Sequence, residues 1–211
     1  MNLIRRALQQ MPIVAILRGI KPEEVGWAFD VLSAAGIRLI EVPLNSPAPY
    51  DSIRRLQQLA GNDLLVGAGT VLSVAQVEDL HAIGAKLVVA PNCDTAVIRA
   101  AKAYGMAVLP GAFTPSEAFA ALHAGADGLK MFPGELLPPA AVKAWRTVMP
   151  PETLLLPVGG VTADNMAAYI AASADGFGIG SSLYKPGVDA AELKRRVDTF
   201  VSRLAEIRAG K

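Results

Sequence analysis

Cysteine is almost missing from this sequence. Cys93 stands alone, which excludes an intrachain disulfide framework and a cysteine-based zinc site and makes a reducing, cytoplasmic setting the expectation. An excess of either charge is missing as well. The formal net charge of +1 offers no field for nucleic acid or an anionic membrane, and no Lys/Arg block is interleaved with aromatics. Long hydrophobic runs are absent, and none reaches the length of a bilayer span. The opening MNLIRRALQQMP places Arg5 and Arg6 early but lacks the apolar core and small-residue cleavage site of a secretory signal. It reads as an amphipathic helix over residues 1–12 that covers one end of the fold. Histidine is scarce too: His81 and His123 are the only two, both in stretches read as helical, so neither is expected to hold a metal. Linkers, low-complexity segments and a shift in composition are not seen, which leaves a single domain over residues 1–211.

What is present is a regular beat. The 211 residues are 52% hydrophobic and 18% charged, enough to bury a sizeable core. Short β-rich runs recur about every two dozen residues: IVAILR (13–18), IRLIEV (37–42), LLVGAG (64–69), KLVVAP (86–91), MAVLPG (106–111), DGLKMF (127–132), LLLPVGG (154–160) and DGFGIG (175–180). Helical apolar spacing fills the intervals, as in EEVGWAFDVLSAA (23–35) and DTAVIRAAKAY (94–104). Several helices end on a glycine just before the next run. Such alternation predicts parallel strands with crossover helices, and its even length predicts a lean single-domain (β/α)8 TIM barrel. A doubly wound open sheet is the alternative; the absence of G-x-G-x-x-G after the first run counts against it.

The C-terminal ends of barrel strands carry the chemistry, and polar residues gather there: Arg18, Glu41, Thr70, Asn92, Lys130 and Ser181. Lys130, between Leu129 and Met131, has two readings. One is a snorkelling lysine with its head in water; the other is a desolvated amine neutral enough to attack a carbonyl. Strand parity aligns Glu41 with Ile37 and Leu39, Arg18 with Val14 and Ile16, and Lys130 with Gly128 and Phe132. If these sets point inward, a lysine and a glutamate meet at the mouth. A buried ion pair there would be costly without another purpose. Thr70 and Asn92 by themselves read as turn residues. After the seventh and eighth runs, VGGVTADN (158–165) and GIGSSLY (178–184) place backbone N–H groups where many barrels bind phosphate, with Thr162 as the expected helix cap.

A lysine amine can condense with a ketone, a carboxylate can move the protons, and an arginine can hold a carboxylate. Together with the glycine loops these residues suggest a class I aldolase acting on a phosphorylated 2-keto acid. A phosphosugar isomerase, a thiamin-phosphate-synthase-like barrel and a non-catalytic sugar-phosphate sensor share the glycine signals; an inward Lys130 and Glu41 argue against the sensor.

The segments AILRGI, IEVPLNSP, GAGTVL, APN, GLKMFP, PVGGVT and GIGSSLY, in this order and spacing, resemble the KDPG/KDPGal aldolase family over nearly the whole chain, and its galactonate branch most closely. The resemblance implies Lys130 as the Schiff-base residue, Glu41 as the proton-transfer residue, and Arg18 and Thr70 in the keto-acid site. It implies Gly159, Gly160, Gly180 and Ser181 as phosphate ligands, a homotrimer, and no metal or cofactor. Where the gluconate branch typically has an arginine, this chain has Asn45, which leaves the carboxylate clamp to Arg18. Val158 stands where the gluconate branch usually has a threonine that bonds the C4 oxygen, so the galacto epimer is expected to be used at least as well. Glu135, in FPGE, differs from the family's small residues and is read as a loop charge rather than an influence on the amine.

Overall fold

In the computed structural model, which describes residues 3–61 and 64–210, helix α1 (Leu3–Gln10) leads into strand β1 (Ile13–Ile16). The first two residues of the helix expected at 1–12 lie outside the described residues. Ile4, Ala7 and Leu8 of α1 are buried, the i, i+3, i+4 spacing that puts one apolar stripe on one face. Strand and helix then alternate: α2 (Val25–Ala34), β2 (Leu39–Pro43), α3 (Pro49–Ala60), β3 (Leu65–Gly69), α4 (Val74–Ala82), β4 (Leu87–Val89), α5 (Thr95–Ala103) and β5 (Ala107–Leu109). There follow β6 (Gly111–Ala112), α6 (Pro115–His123), β7 (Leu129–Met131), α7 (Pro139–Arg146), β8 (Leu155–Pro157), α8 (Met166–Ala171), β9 (Phe177–Ile179) and α9 (Ala190–Arg208).

Local chemistry sets several of these boundaries. Asp94 caps α5 by accepting from the N–H groups of Ala96 and Val97, and Thr114 and Glu117 form a reciprocal capping box at α6. Each such cap stabilises its helix by about 1 kcal/mol. Past α5, Gly105 takes a φ of 70°, the left-handed turn that stops the helix and feeds the next strand.

All strand pairs are parallel. They form two sheets: a curled six-stranded one in the order β5-β4-β3-β2-β1-β9 and a three-stranded one in the order β6-β7-β8. The fifth predicted run is therefore two strands, divided at Pro110. Proline has no N–H for the ladder, so pairing changes sides there. Before it, Leu109 accepts from Ala90 N–H at 3.2 Å; at it, the Pro110 carbonyl accepts from Lys130 N–H at 2.9 Å. Between β8 and β9 the link is the parallel bridge Val158↔Gly178.

Alternate strand residues feed two cores. Val14, Leu39, Leu65, Leu87, Leu109 and Leu156, drawn from both sheets, pack with Ile4 and Leu8 of α1 into one inner cluster. Ile13, Ala15, Ile40, Val66 and Val88 face the helices in the outer cluster. Ile37, expected on the face of Glu41, belongs to that outer cluster, because β2 begins only at Leu39 and the alternation does not reach back to it. The register between Leu39 and Glu41 is thus what aims Glu41 inward.

Candidate active site

Glu41 on β2 and Lys130 on β7 are buried to 1% and 5% relative exposure. Lys130 keeps only 5% of its surface exposed, far less than a snorkelling lysine with its head out in bulk water. Both side chains line a cavity walled by Val14, Ile16, Val89, Leu109, Leu156 and Val158. Its volume for a water-sized sphere is about 10 Å³, close to what a single water needs. Glu41 occupies ground that another residue has vacated: a Cβ placed on Gly69 would lie 1.6 Å from Glu41 Oε2 and 2.4 Å from its Cδ. The glycine at the end of β3 is what makes room for the carboxylate. Among the described residues, Oε2 has no hydrogen-bond partner, so it is desolvated and open to a newcomer.

Electrostatics follow from this burial. Loss of water pushes the Glu41 carboxyl up to about 7, against the opposing pull of Lys130 and Arg18. The same loss pushes the Lys130 amine down; Glu41 works against that shift and Arg18 adds to it. Lys130 Nζ also lies 4.7 Å from the centroid of the Phe132 ring, a contact that favours the ammonium. Burial thus makes the proton easier to lose than from a lysine in water, which is the change a nucleophilic amine requires.

Arg18 lies just beyond β1 and is exposed; Leu17 before it still packs in the outer cluster with Ile13 and Ala15, so the alternation leaves Arg18 on the side of Val14 and Ile16. It stands at the mouth, close enough to act on the charges of Glu41 and Lys130. The β2–α3 loop holds it there: Arg18 Nη1 donates to Asn45 Oδ1 at 2.6 Å and Gly19 N–H donates to Ser46 Oγ at 2.9 Å. Ser46 was not among the expected site residues, and its only sequence signal is its place after the strand that carries Glu41. Thr70 follows Gly69 with a φ of 57°, a left-handed conformation that threonine seldom adopts and that recurs at functional sites. Asn92 is exposed after β4.

Gly159 and Gly160 have φ of 104° and 66° and follow β8, while Gly180 and Ser181 follow β9. Among the described residues, none of the backbone hydrogen bonds outside regular elements uses the N–H of these four residues. Unused backbone donors in neighbouring turns are groups that can bind an anion. Thr162 departs from expectation. It does not cap a helix; α8 starts later, at Met166, with Asn165 as its N-cap. Asn165 instead braces the loop, accepting from Thr162 N–H at 3.0 Å and donating to Gly160 O at 2.8 Å. Val158 is 7% exposed and lies over Gly178, where a Cβ would meet its Cγ2 at 2.6 Å. Glu135 is exposed and leans on Gly159. His81 stacks on Tyr104 on the helical layer, and His123 lies beside Phe119.

The sequence matches the family described as KDPG and KHG aldolase over residues 4–198. It is 48% identical over 187 residues, 89% of this chain and 88% of the relative, to a probable 2-dehydro-3-deoxy-6-phosphogalactonate aldolase of Rhizobium meliloti (strain 1021). It is 42% identical over 197 residues, 93% of this chain and 96% of the relative, to the 2-dehydro-3-deoxy-6-phosphogalactonate aldolase of Escherichia coli (strain K12). Among solved structures, one described as native KDPGal superposes with a TM-score of 0.92 at 41% identity, covering 95% of this chain and 97% of that one. A match that runs almost from end to end, with relatives this similar, places the chain in the KDPG and KHG aldolase family.

Proposed function

We propose that this protein is a class I aldolase that cleaves 2-dehydro-3-deoxy-6-phosphogalactonate to pyruvate and D-glyceraldehyde 3-phosphate. The observation that carries this reading is a buried amine, Lys130, sharing an apolar cavity with a buried carboxylate, Glu41, whose Oε2 is unpartnered. Arg18 and Thr70 hold the keto-acid end, and the N–H groups of Gly159, Gly160, Gly180 and Ser181 hold the phosphoryl group. The neutral Lys130 amine adds to the C2 ketone, and loss of water leaves an iminium. Glu41, directly or through a water, takes the proton of the C4 hydroxyl. The C3–C4 bond then breaks, its electron pair passes into the iminium to give an enamine, and C4 leaves as the aldehyde. Return of the proton to C3 and hydrolysis of the new iminium release pyruvate and restore Lys130.

The galacto epimer is favoured by the similarity to the two galactonate aldolases and by Val158, which offers no hydrogen-bond donor at the cavity wall. The two sheets together with their helices constitute one closed (β/α)8 barrel domain over residues 1–211. In this reading the enzyme works in the cytoplasm, in galactonate catabolism, as a homotrimer, and needs no cofactor. Borohydride added during incubation with pyruvate tests the mechanism. It should reduce the iminium and leave an adduct on Lys130 by peptide mass mapping, and Lys130→Arg should give none, since a guanidinium keeps its proton. Wild-type protein without an adduct at Lys130 would refute it.

A further inference from the structure

The short 3-10 turn after β7 brings an acid to a place where the cleavage reaction has no use for one. Gly134 N–H donates to Val158 O at 2.7 Å, which docks the turn Gly134–Leu136 against the segment following β8. Glu135 is thereby laid on the glycine loop. A Cβ placed on Gly159 would lie 2.3 Å from Glu135 Oε2, and one placed on Gly160 would lie 2.8 Å from Glu135 Cγ. Among the described residues the carboxylate makes no hydrogen bond or ion pair. Its charge helps to raise the pKa of the Tyr169 phenol, secondary to burial. A carboxylate thus lies over the two glycines of the proposed phosphoryl site.

We propose that Glu135 is a specificity-determining residue of the phosphate subsite, an anion built into the chain that weakens the hold on a phosphoryl dianion. The inference rests on the reading of Gly159 and Gly160 as phosphate ligands. A phosphoryl group on those donors must either push the carboxylate aside or remain beside a like charge, and both raise the free energy of the bound state. Lys130 and Glu41 lie elsewhere, in the cavity, so the effect falls on binding and not on the chemical step. Glu135 would set how easily the phosphorylated substrate and product leave the loop.

The test compares wild type, Glu135→Gln and Glu135→Asp, using inorganic phosphate as a competitive inhibitor of cleavage and pyruvate as the probe of the other end. Glu135→Gln should lower both the phosphate inhibition constant and the KM for the phosphorylated substrate by about three- to tenfold. kcat should stay within about twofold, and borohydride trapping of pyruvate at Lys130 should be unchanged. Glu135→Asp, which keeps the charge, should stay close to wild type. The proposal is overturned if Glu135→Gln leaves both constants unchanged or raises them. It is equally overturned if Asp and Gln behave alike, which would mean that bulk and not charge is responsible. Pyruvate trapping with no phosphate inhibition in any of the three proteins would refute the phosphate loop itself while leaving the Lys130 mechanism standing. Absence of trapping in wild type would refute the mechanism instead.

Discussion

Gly69→Ala isolates the placement of the Glu41 carboxylate from everything else in the site. Gly69 does not have a positive φ, so alanine fits its backbone and the perturbation is the added methyl alone. That methyl would sit 1.6 Å from Oε2, 2.4 Å from Cδ and 2.7 Å from Oε1 of Glu41. An ordinary contact between such atoms is about 3.5 Å, so the carboxylate has to retreat by roughly 2 Å. A displacement of about 1 Å can cost about a hundredfold when a reacting group must be aligned, so kcat/KM should fall by about 10²- to 10³-fold. The Lys130 amine is not touched, and prolonged incubation with pyruvate and borohydride should still label it. The midpoint of thermal unfolding should move by only a few degrees, in contrast with Gly67→Ala, whose methyl would lie 1.7 Å from the Leu87 carbonyl oxygen and would have to move backbone. Cleavage is followed by coupling pyruvate release to lactate dehydrogenase. A Gly69→Ala enzyme that folds normally and retains activity to within about threefold would show that Glu41 at its observed position is not the group that moves the proton.

Three further outcomes are expected. Since the proton transfer requires the carboxylate and burial holds Glu41 near 7, kcat/KM should fall on the acid side with a midpoint near that pH; a profile flat from pH 5 to 8 would contradict the assignment. The same raised pKa means that the folded chain binds this proton more tightly than the unfolded one, so the stabilisation is complete below the unfolded value of 4.5 and is lost as pH rises through 7. It amounts to about 3 kcal/mol in full, of which about 2 kcal/mol falls between pH 5.5 and 8.5, and Glu41→Gln should abolish that part of the pH dependence in urea unfolding at these two pH values. Val158→Thr adds a hydroxyl at the wall shared with Lys130 and should shift the kcat/KM ratio of the two 6-phospho epimers about two- to tenfold toward gluco, the range of one neutral hydrogen bond. A ratio that stays put or moves toward galacto removes Val158 as the stereochemical determinant.

Much of this was legible in the order of residues. Hydrophobic periodicity marked each β run and the helices between them, because side-chain burial repeats every two residues in a strand and every 3.6 in a helix. Parity within a strand is equally local, so Glu41 and Lys130 could be aimed inward before any contact was known. Parity failed at Ile37, which lies before the start of its strand, because alternation holds only while the backbone stays extended. Pro110 was visible as a proline but not as the boundary between two sheets, since which neighbour loses its hydrogen bond depends on which strands flank it. Thr162 had the composition of a helix cap, yet Asn165 took the loop's hydrogen bonds.

The sequence by itself determined the strand-and-helix alternation, the polar census at the strand ends, and the family, because each resides in residue type and spacing along the chain. Only the tertiary structure decided that Gly69 clears the space for a carboxylate from the neighbouring strand, that Asn45 and Ser46 brace Arg18 and Gly19, and that Glu135 lies over Gly159. These contacts join segments about two dozen residues apart, through strand register and loop docking. A vacancy or a charge acquires meaning only from what packing sets against it.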